Sequence, residues 1–283
     1  MIGAIIGDIV GSIYEFHNIK RKDFELFSRT CFFTDDTVMT LAIAKSITEF
    51  YSKGNNKTLA VLAIENMQDM GGLYPHRGYG GRFSYWLQET APLPYNSFGN
   101  GAAMRISSVA EINNDLEKAF EMSDIVTGVT HNHPEGLKGA RATVHAMFLA
   151  REKKDLQEIK KIIKDNYYPE MGKNFTLDNI REKYYFNETC QGSVPQAIEA
   201  FIESTSFEDA IRNAISIGGD SDTLGAIVGG MAKAYFGIPE NMRMEAIEYL
   251  DDLLLNILNE LANHKSEYES FTILFNNLIS LGL

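Results

Sequence analysis

Two short acidic stretches, far apart in the chain, carry the residue types that hold hard cations. The first is Cys31-Phe-Phe-Thr-Asp-Asp-Thr-Val-Met-Thr40, in which Thr34, Asp35, Asp36 and Thr37 place four oxygen side chains in a row. Adjacent carboxylates repel each other unless a cation stands between them, and Mg²⁺ prefers such oxygen ligands. Asp and Thr are also the residue types that cap helices, so one such stretch reads equally as a solvated N-cap. The second stretch is Ile217-Gly-Gly-Asp-Ser-Asp-Thr-Leu-Gly-Ala-Ile-Val-Gly-Gly-Met231, with Asp220, Asp222 and Thr223 on the same plan. In an extended or turn segment alternate residues point the same way, so Asp220 and Asp222 can face one centre. Two oxygen-rich turns, each feeding a helix, together form a site for two hard cations.

The elements that must position these residues read as helices. Met39, Ile43, Ile47 and Phe50 recur at helical spacing after the first cluster. Gly225 and Gly229, four apart, leave one face of the second helix bare enough for another backbone to approach. Met1–Tyr14 repeats glycine at 3, 7 and 11, again one helical face, which predicts a buried and closely packed first helix. Asp8 inside it reads as a hydrogen-bonded core carboxylate, whereas Glu15, at its end, is placed to reach a site. This apolar start lacks a basic leading region and carries Asp8, unlike a signal peptide, and it is too short to span a bilayer.

Between the clusters, helical patterns cover Lys57–Met70, Leu116–Thr127, Lys138–Lys154 and Leu156–Tyr167. Pro195 fits the first turn of a helix running to about Glu203. Phe207–Ile217 precedes the second cluster, Pro239 opens a helix over Glu240–Ala262, and a last apolar helix spans Phe271–Ile279. Gly71–Asn100 is different: six glycines and three prolines are interleaved with aromatics, as in a functional or mobile loop or a surface excursion. It ends in Ser97-Phe-Gly-Asn-Gly-Ala-Ala-Met-Arg105, whose glycines let backbone N–H groups approach an anion at a helix entrance. The stretch matches neither a Walker loop nor a dinucleotide fingerprint. His131 and His133 lack a third zinc ligand at matching spacing and read as ligand-contacting or helix-capping. Met171–Gln191 is polar and weakly periodic, hence loop or short helix. No strand alternation is long enough to anchor a sheet. The expectation is one all-α domain over residues 1–283 with a binuclear metal cleft.

Composition bounds the partners. A chain of 283 residues with 45% hydrophobic content buries a substantial core. A net charge of −12 excludes a broad nucleic-acid or anionic-membrane surface. Cys31 and Cys190 are the only cysteines and read as reduced thiols in a cytoplasmic protein, with monomer as the default state.

Gly7-Asp8 with Tyr14-Glu15, Phe33-Thr-Asp-Asp-Thr37, Gly99-Asn-Gly-Ala-Ala-Met-Arg105, Thr130-His131, Ser193-Val-Pro-Gln-Ala197 and Gly218-Gly-Asp-Ser-Asp-Thr223 resemble, in order, the motif series of the ADP-ribosylglycohydrolase family. That is the family of the dinitrogenase-reductase-activating glycohydrolase. The resemblance implies an all-α fold with two Mg²⁺ or Mn²⁺ ions. It implies that Thr34, Asp35, Asp36, Asp220, Asp222 and Thr223 are metal ligands and that Glu15 lies beside them. It implies too that Phe98, Gly99, Asn100, Gly101, Met104 and His131 contact ADP-ribose. The implied activity is hydrolysis of the glycosidic bond between ADP-ribose and an acceptor, a protein side chain such as arginine or a small conjugate. Glu15, Asp35 and Asp36 are the candidate acid–base groups. Two alternatives stand beside this. A non-catalytic ADP-ribose-binding or structural member of the same fold would be marked by lost ligand residues. A metal phosphohydrolase of the haloacid-dehalogenase type, loosely matched by Asp220-Ser-Asp-Thr, would require a strand directly before Asp220.

Overall fold

The computed structural model describes residues 1–52 and 54–263, and helices are their regular structure. In chain order the helices are α1 (Ile2–Gly11), α2 (Asp35–Tyr51), α3 (Leu59–Leu73), α4 (Gly81–Trp86), α5 (Gly101–Met104), α6 (Ser107–Ile112) and α7 (Leu116–Gly128). They continue with α8 (Pro134–Arg151), α9 (Leu156–Asn166), α10 (Leu177–Lys183), α11 (Cys190–Ile202), α12 (Phe207–Ser216), α13 (Ser221–Phe236) and α14 (Glu240–Ile247). Residues 252–263 form a further helical stretch. The apolar run Phe271–Ile279 lies outside the described residues. Among those residues there is no strand, only an isolated bridge between Gly99 and Thr189. The all-α expectation holds. The strand that a haloacid-dehalogenase site requires before Asp220 is replaced by α12, which removes that reading.

The centre of the molecule is the seam between α1 and α13. Both helices are buried along nearly their whole length, and α2, α8, α11 and α12 pack around them. The seam exists because glycine faces glycine. A methyl group on Gly7 would overlap the carbonyl of Gly225, and one on Gly3 would overlap that of Gly229. On Gly11 it would lie 2.5 Å from the Cα of Asp222. The contacts are backbone to backbone, so no side-chain rotation can relieve such an overlap. Gly7→Ala is therefore expected to lower the unfolding free energy by about 3 kcal/mol, the upper part of the range for overpacking a core. A denaturant titration with an unchanged midpoint would refute this account of the seam.

Local rules account for most boundaries. Thr34, Thr58, Asp115, Asp155, Thr176, Thr189 and Ser206 each cap a helix through a side-chain oxygen. Three expectations are corrected. First, α1 stops at Gly11, so Glu15 lies in the following turn rather than at a helix end. Asn18 anchors that turn: its Nδ2 donates to the carbonyls of Glu15 (2.8 Å) and Gly219 (2.9 Å), and Gly219 N donates back to its Oδ1 (2.7 Å). Second, Pro195 sits inside α11 instead of in its first turn. The helix is started earlier by Thr189, whose Oγ1 accepts from Gly192 N at 3.1 Å. Third, the helix expected over Glu240–Ala262 is broken after Ile247. Asp251 restarts it by accepting from Leu254 N at 3.1 Å, and the carboxylate is held by the hydroxyl of Tyr74.

Candidate active site

The first acidic turn is held from behind by Asp8. This fully buried carboxylate accepts from Thr34 N (3.0 Å), Thr34 Oγ1 (2.7 Å), Thr37 N (3.0 Å) and Thr37 Oγ1. Asp8 is the hydrogen-bonded core group that its place in α1 suggested. Burial pushes its carboxyl up to about 6 despite the bonds from Thr37 and Thr34. Thr34 Oγ1 also caps α2 by accepting from Asp36 N at 3.2 Å. With Thr34 and Thr37 tied down, Asp35 and Asp36 project from the first turn of α2 into a cleft of about 400 Å³. Thr34 itself is buried in the cap and does not line that cleft. Gly78, at φ +99°, leaves room for Asp35, whose Oδ1 would be 3.3 Å from a methyl group at that position.

The second acidic turn reaches the same cleft by a different route from the expected alternation. Gly218 and Gly219 both have positive φ (72° and 80°), a left-handed turn that glycine adopts without strain. Asp220 is then the N-cap of α13, and Asp222 lies in its first turn. The two carboxylates meet because a cap residue and the first turn close on each other. Asn100 Nδ2 orients Asp220 by donating to its Oδ2 at 2.7 Å and to Ser193 Oγ at 3.1 Å. Thr223 Oγ1 donates to Asp36 Oδ2 at 3.2 Å and so joins the two turns.

Glu15, Asp35, Asp36, Asp220, Asp222 and Thr223 thus line one wall. Carboxylate oxygens of Glu15, Asp220 and Asp222 lie within 4.8 Å of one another. Burial, then the charge of Asp222, lifts Glu15 to about 8. Burial lifts Asp220 to about 6 and holds Asp35, Asp36 and Asp222 well above the usual carboxylate range, with the charges of their neighbours adding to it. Among the described residues no lysine or arginine forms a salt bridge with any of the five carboxylates, and the buried Oδ1 of Asp36 has no hydrogen-bond partner there. A donor set of this kind, all oxygen, crowded, buried and uncompensated, fits divalent cations. It does not fit a structural salt-bridge network.

The facing wall is the glycine loop. Phe98, Gly99, Asn100, Gly101 and Met104 line the cleft, and so does His131. Asn100 N donates to Glu188 O (2.7 Å) and Cys190 N to Phe98 O (2.9 Å), which ties the loop to the segment before α11. His131 Nε2 faces Gly99 and Gly101: a methyl group on either would lie 3.4 or 3.3 Å from it. His133 takes the capping role, its Nδ1 accepting from Glu135 N at 3.1 Å. Sequence reasoning did not single out Arg82, Tyr95, Arg105, Phe186 or Glu188, all of which line the cleft. Arg82 and Tyr95 belong to the glycine-rich stretch 71–100, and Phe186 and Glu188 to the weakly periodic 171–191. These are the two segments where the pattern gave no assignment. At the mouth, exposed Phe16 stacks on Phe186, with ring centroids 6.1 Å apart.

Comparisons with known proteins give the relatives of the whole chain. The model of the ADP-ribosylglycohydrolase family matches residues 1–270. The ADP-ribosylhydrolase ARH3 of Xenopus tropicalis is 25% identical over 322 aligned residues, covering 89% of this chain and 91% of that protein. The ADP-ribosyl-[dinitrogen reductase] glycohydrolase of Rhodospirillum rubrum is 26% identical over 268 residues, covering 84% and 85%. Among solved structures, an ADP-ribosylglycohydrolase-related protein complex superposes with a TM-score of 0.62 at 20% identity, covering 87% of this chain and 94% of the other, which shows a shared fold.

Proposed function

The chain belongs to the ADP-ribosylglycohydrolase family, whose members cleave glycosidic bonds of ADP-ribose conjugates, and from that premise we propose a divalent-cation-dependent ADP-ribosyl hydrolase with its active site in the cleft described. The observation that carries the proposal is the wall of five carboxylates, Glu15, Asp35, Asp36, Asp220 and Asp222, facing a glycine loop and His131 across one cleft. Bound there, two Mg²⁺ or Mn²⁺ ions would offset the carboxylate charge and supply Lewis-acid polarisation of sugar hydroxyls.

The ligands would be Asp35, Asp36, Asp220, Asp222 and Thr223, with Thr34 shaping the first turn. The protein's own groups do the rest. The backbone N–H of Gly101, at the entrance of α5, and the imidazole of His131 bind the diphosphate portion, while the N–H groups of Gly99 and Asn100 are spent on Ser97 Oγ and Glu188 O and hold the loop in place. Asn100 keeps Asp220 turned into the cleft, and Asp8 keeps Asp35 and Asp36 in register. Glycosidic cleavage passes through an oxocarbenium-like state, which a carboxylate-lined wall stabilises. Glu15, half-buried in the turn after α1 rather than in a helix, is the acid–base candidate with the most freedom to approach a leaving group. The acceptor would leave past Phe16, Phe186 and Glu188, and these side chains would meet a protein substrate first.

The test is release of free ADP-ribose from conjugates linked through arginine, through serine and through small acceptors, with Mg²⁺, with Mn²⁺ and with chelator. Release from at least one linkage, abolished by chelator, is the expected outcome. Absence of release from every linkage, or release indifferent to chelator, would overturn the reading.

A further inference from the structure

Beside the glycine loop, at the lining of the cleft, lies a guanidinium that no carboxylate among the described residues pairs with directly. Arg105, directly after α5, is 1% exposed, and among the described residues its buried Nε has no partner and its guanidinium forms no salt bridge. One terminal nitrogen, Nη2, lies 2.6 Å from Thr130 Oγ1 and 3.2 Å from His131 Nδ1. Thr130 Oγ1 is itself 2.7 Å from His131 Nδ1. An arginine nitrogen can only donate, so the bond from Nη2 makes Nδ1 the acceptor, and a neutral imidazole that accepts at Nδ1 carries its proton on Nε2. The Thr130 hydroxyl, which also reaches Thr127 O at 3.5 Å, serves either tautomer, so it is the arginine contact that selects between them. Nε2 is the edge that lies against Gly99 and Gly101 at the lining of the cleft.

We infer that Arg105 is a positioning residue that locks His131 as the Nε2–H tautomer, so that the imidazole presents one directional donor to a phosphoryl oxygen of the bound nucleotide. Burial, and after it the nearby Arg105 charge, holds His131 well below its usual pKa, so the ring stays neutral. Burial pulls Arg105 only to about 10, so the guanidinium stays charged at neutral pH. The cation is therefore delivered indirectly. Arg105 sets the orientation and polarises the ring, and the neutral ring touches the ligand. Gly99 and Gly101 suit this arrangement because a side chain on either would crowd the Nε2 edge.

The phosphoryl part of the inference rests on the ADP-ribose reading, whereas the tautomer can be read in the ligand-free protein. Nitrogen-15 ring correlations at neutral pH, with the His131 signals assigned by their loss in His131→Gln, should show wild-type His131 as the Nε2–H form. This measurement requires no Arg105 variant to fold. Arg105→Met should give a mixture of tautomers and weaken ADP-ribose binding about tenfold or more, the loss expected for a hydrogen bond to a charged group. Arg105→Met combined with His131→Gln should recover most of that affinity, because the glutamine amide donates from the Nε2 position without a tautomer to fix. An Arg105 that merely supports the fold would give no such recovery. A wild-type ring protonated on Nδ1 or on both nitrogens, an unchanged tautomer in Arg105→Met, or no recovery in the double variant would each overturn the inference. If wild-type protein fails to bind ADP-ribose while the ring is Nε2–H, the functional reading falls and the positioning role stands.

Discussion

Asp222→Asn is expected to lose hydrolysis and, at the same time, to give a protein that melts higher than the parent when cations are removed. Asp222 is buried beside Asp220, Glu15 and Asp36, with no cationic side chain to offset it. Loss of one ligand from a metal site removes several kcal/mol of transition-state stabilisation, so turnover should fall on the order of 10³-fold or more. Without cations the same carboxyl, buried against Asp220, either keeps a proton that is given up at growing cost as pH rises or repels its neighbours. An isosteric amide removes the charge while its oxygen can still accept from Thr223 N, the 2.9 Å bond that Asp222 makes now. Activity and cation-free stability should therefore move in opposite directions. Steady-state turnover, read beside a melting curve in chelator, checks both at once. Near-parental turnover would remove Asp222 from the site, and a lower cation-free melting temperature would show that the carboxylate cluster is not under strain.

The second large effect is the coupling of stability to pH and to cations. Asp8 and Asp220 hold protons up to about 6 and Glu15 up to about 8, against 3.8 and 4.5 for ordinary Asp and Glu. The folded protein therefore binds these protons more tightly than the unfolded chain does. Stability they contribute is present at low pH and declines as pH rises from about 4, where the unfolded chain ionises, towards about 8. Divalent cations take the place of the protons, so they should raise the melting temperature little at pH 5 and strongly at pH 8. At a hundredfold excess over Kd, each of two sites adds about 2.7 kcal/mol. For a chain of this size that amounts to a rise on the order of 10 °C. Melting curves at the two pH values, with and without Mg²⁺ or Mn²⁺, decide the matter. An equal cation effect at both would show that protons and cations do not compete for the same oxygens.

The architecture and the acidic half of the site were legible because both are written in local patterns. Glycines four apart announce a bare helix face, and Gly3–Gly7–Gly11 met Gly225–Gly229 as that pattern requires. Runs of Asp and Thr before apolar helices announced the two turns. Where backbone geometry decides, the reading was less good. Asp220 and Asp222 converge through a cap and a first helical turn, not through extended alternation, because two left-handed glycines precede them. Pro195 lies inside α11 because a threonine cap six residues earlier had already started the helix. The contacts left out were those that exist only across distance in sequence. Arg105 meets Thr130 and His131, Asn100 meets Asp220, and Asn18 meets Gly219, each through contacts between segments 25 to 201 residues apart. No periodicity encodes such pairs.

The bond between Thr223 and Asp36 closes a loop of 187 residues. A chain emerging from the ribosome has Asp35 and Asp36 in hand early and must wait for Asp220, Asp222 and Thr223 until most of its length is synthesised. During that interval the first acidic turn has half its donors and no glycine partner for α1. On the proposed reading, cation capture would thus be a late step, contingent on the docking of α13 against α1, and a bound metal would report that these two distant segments have met.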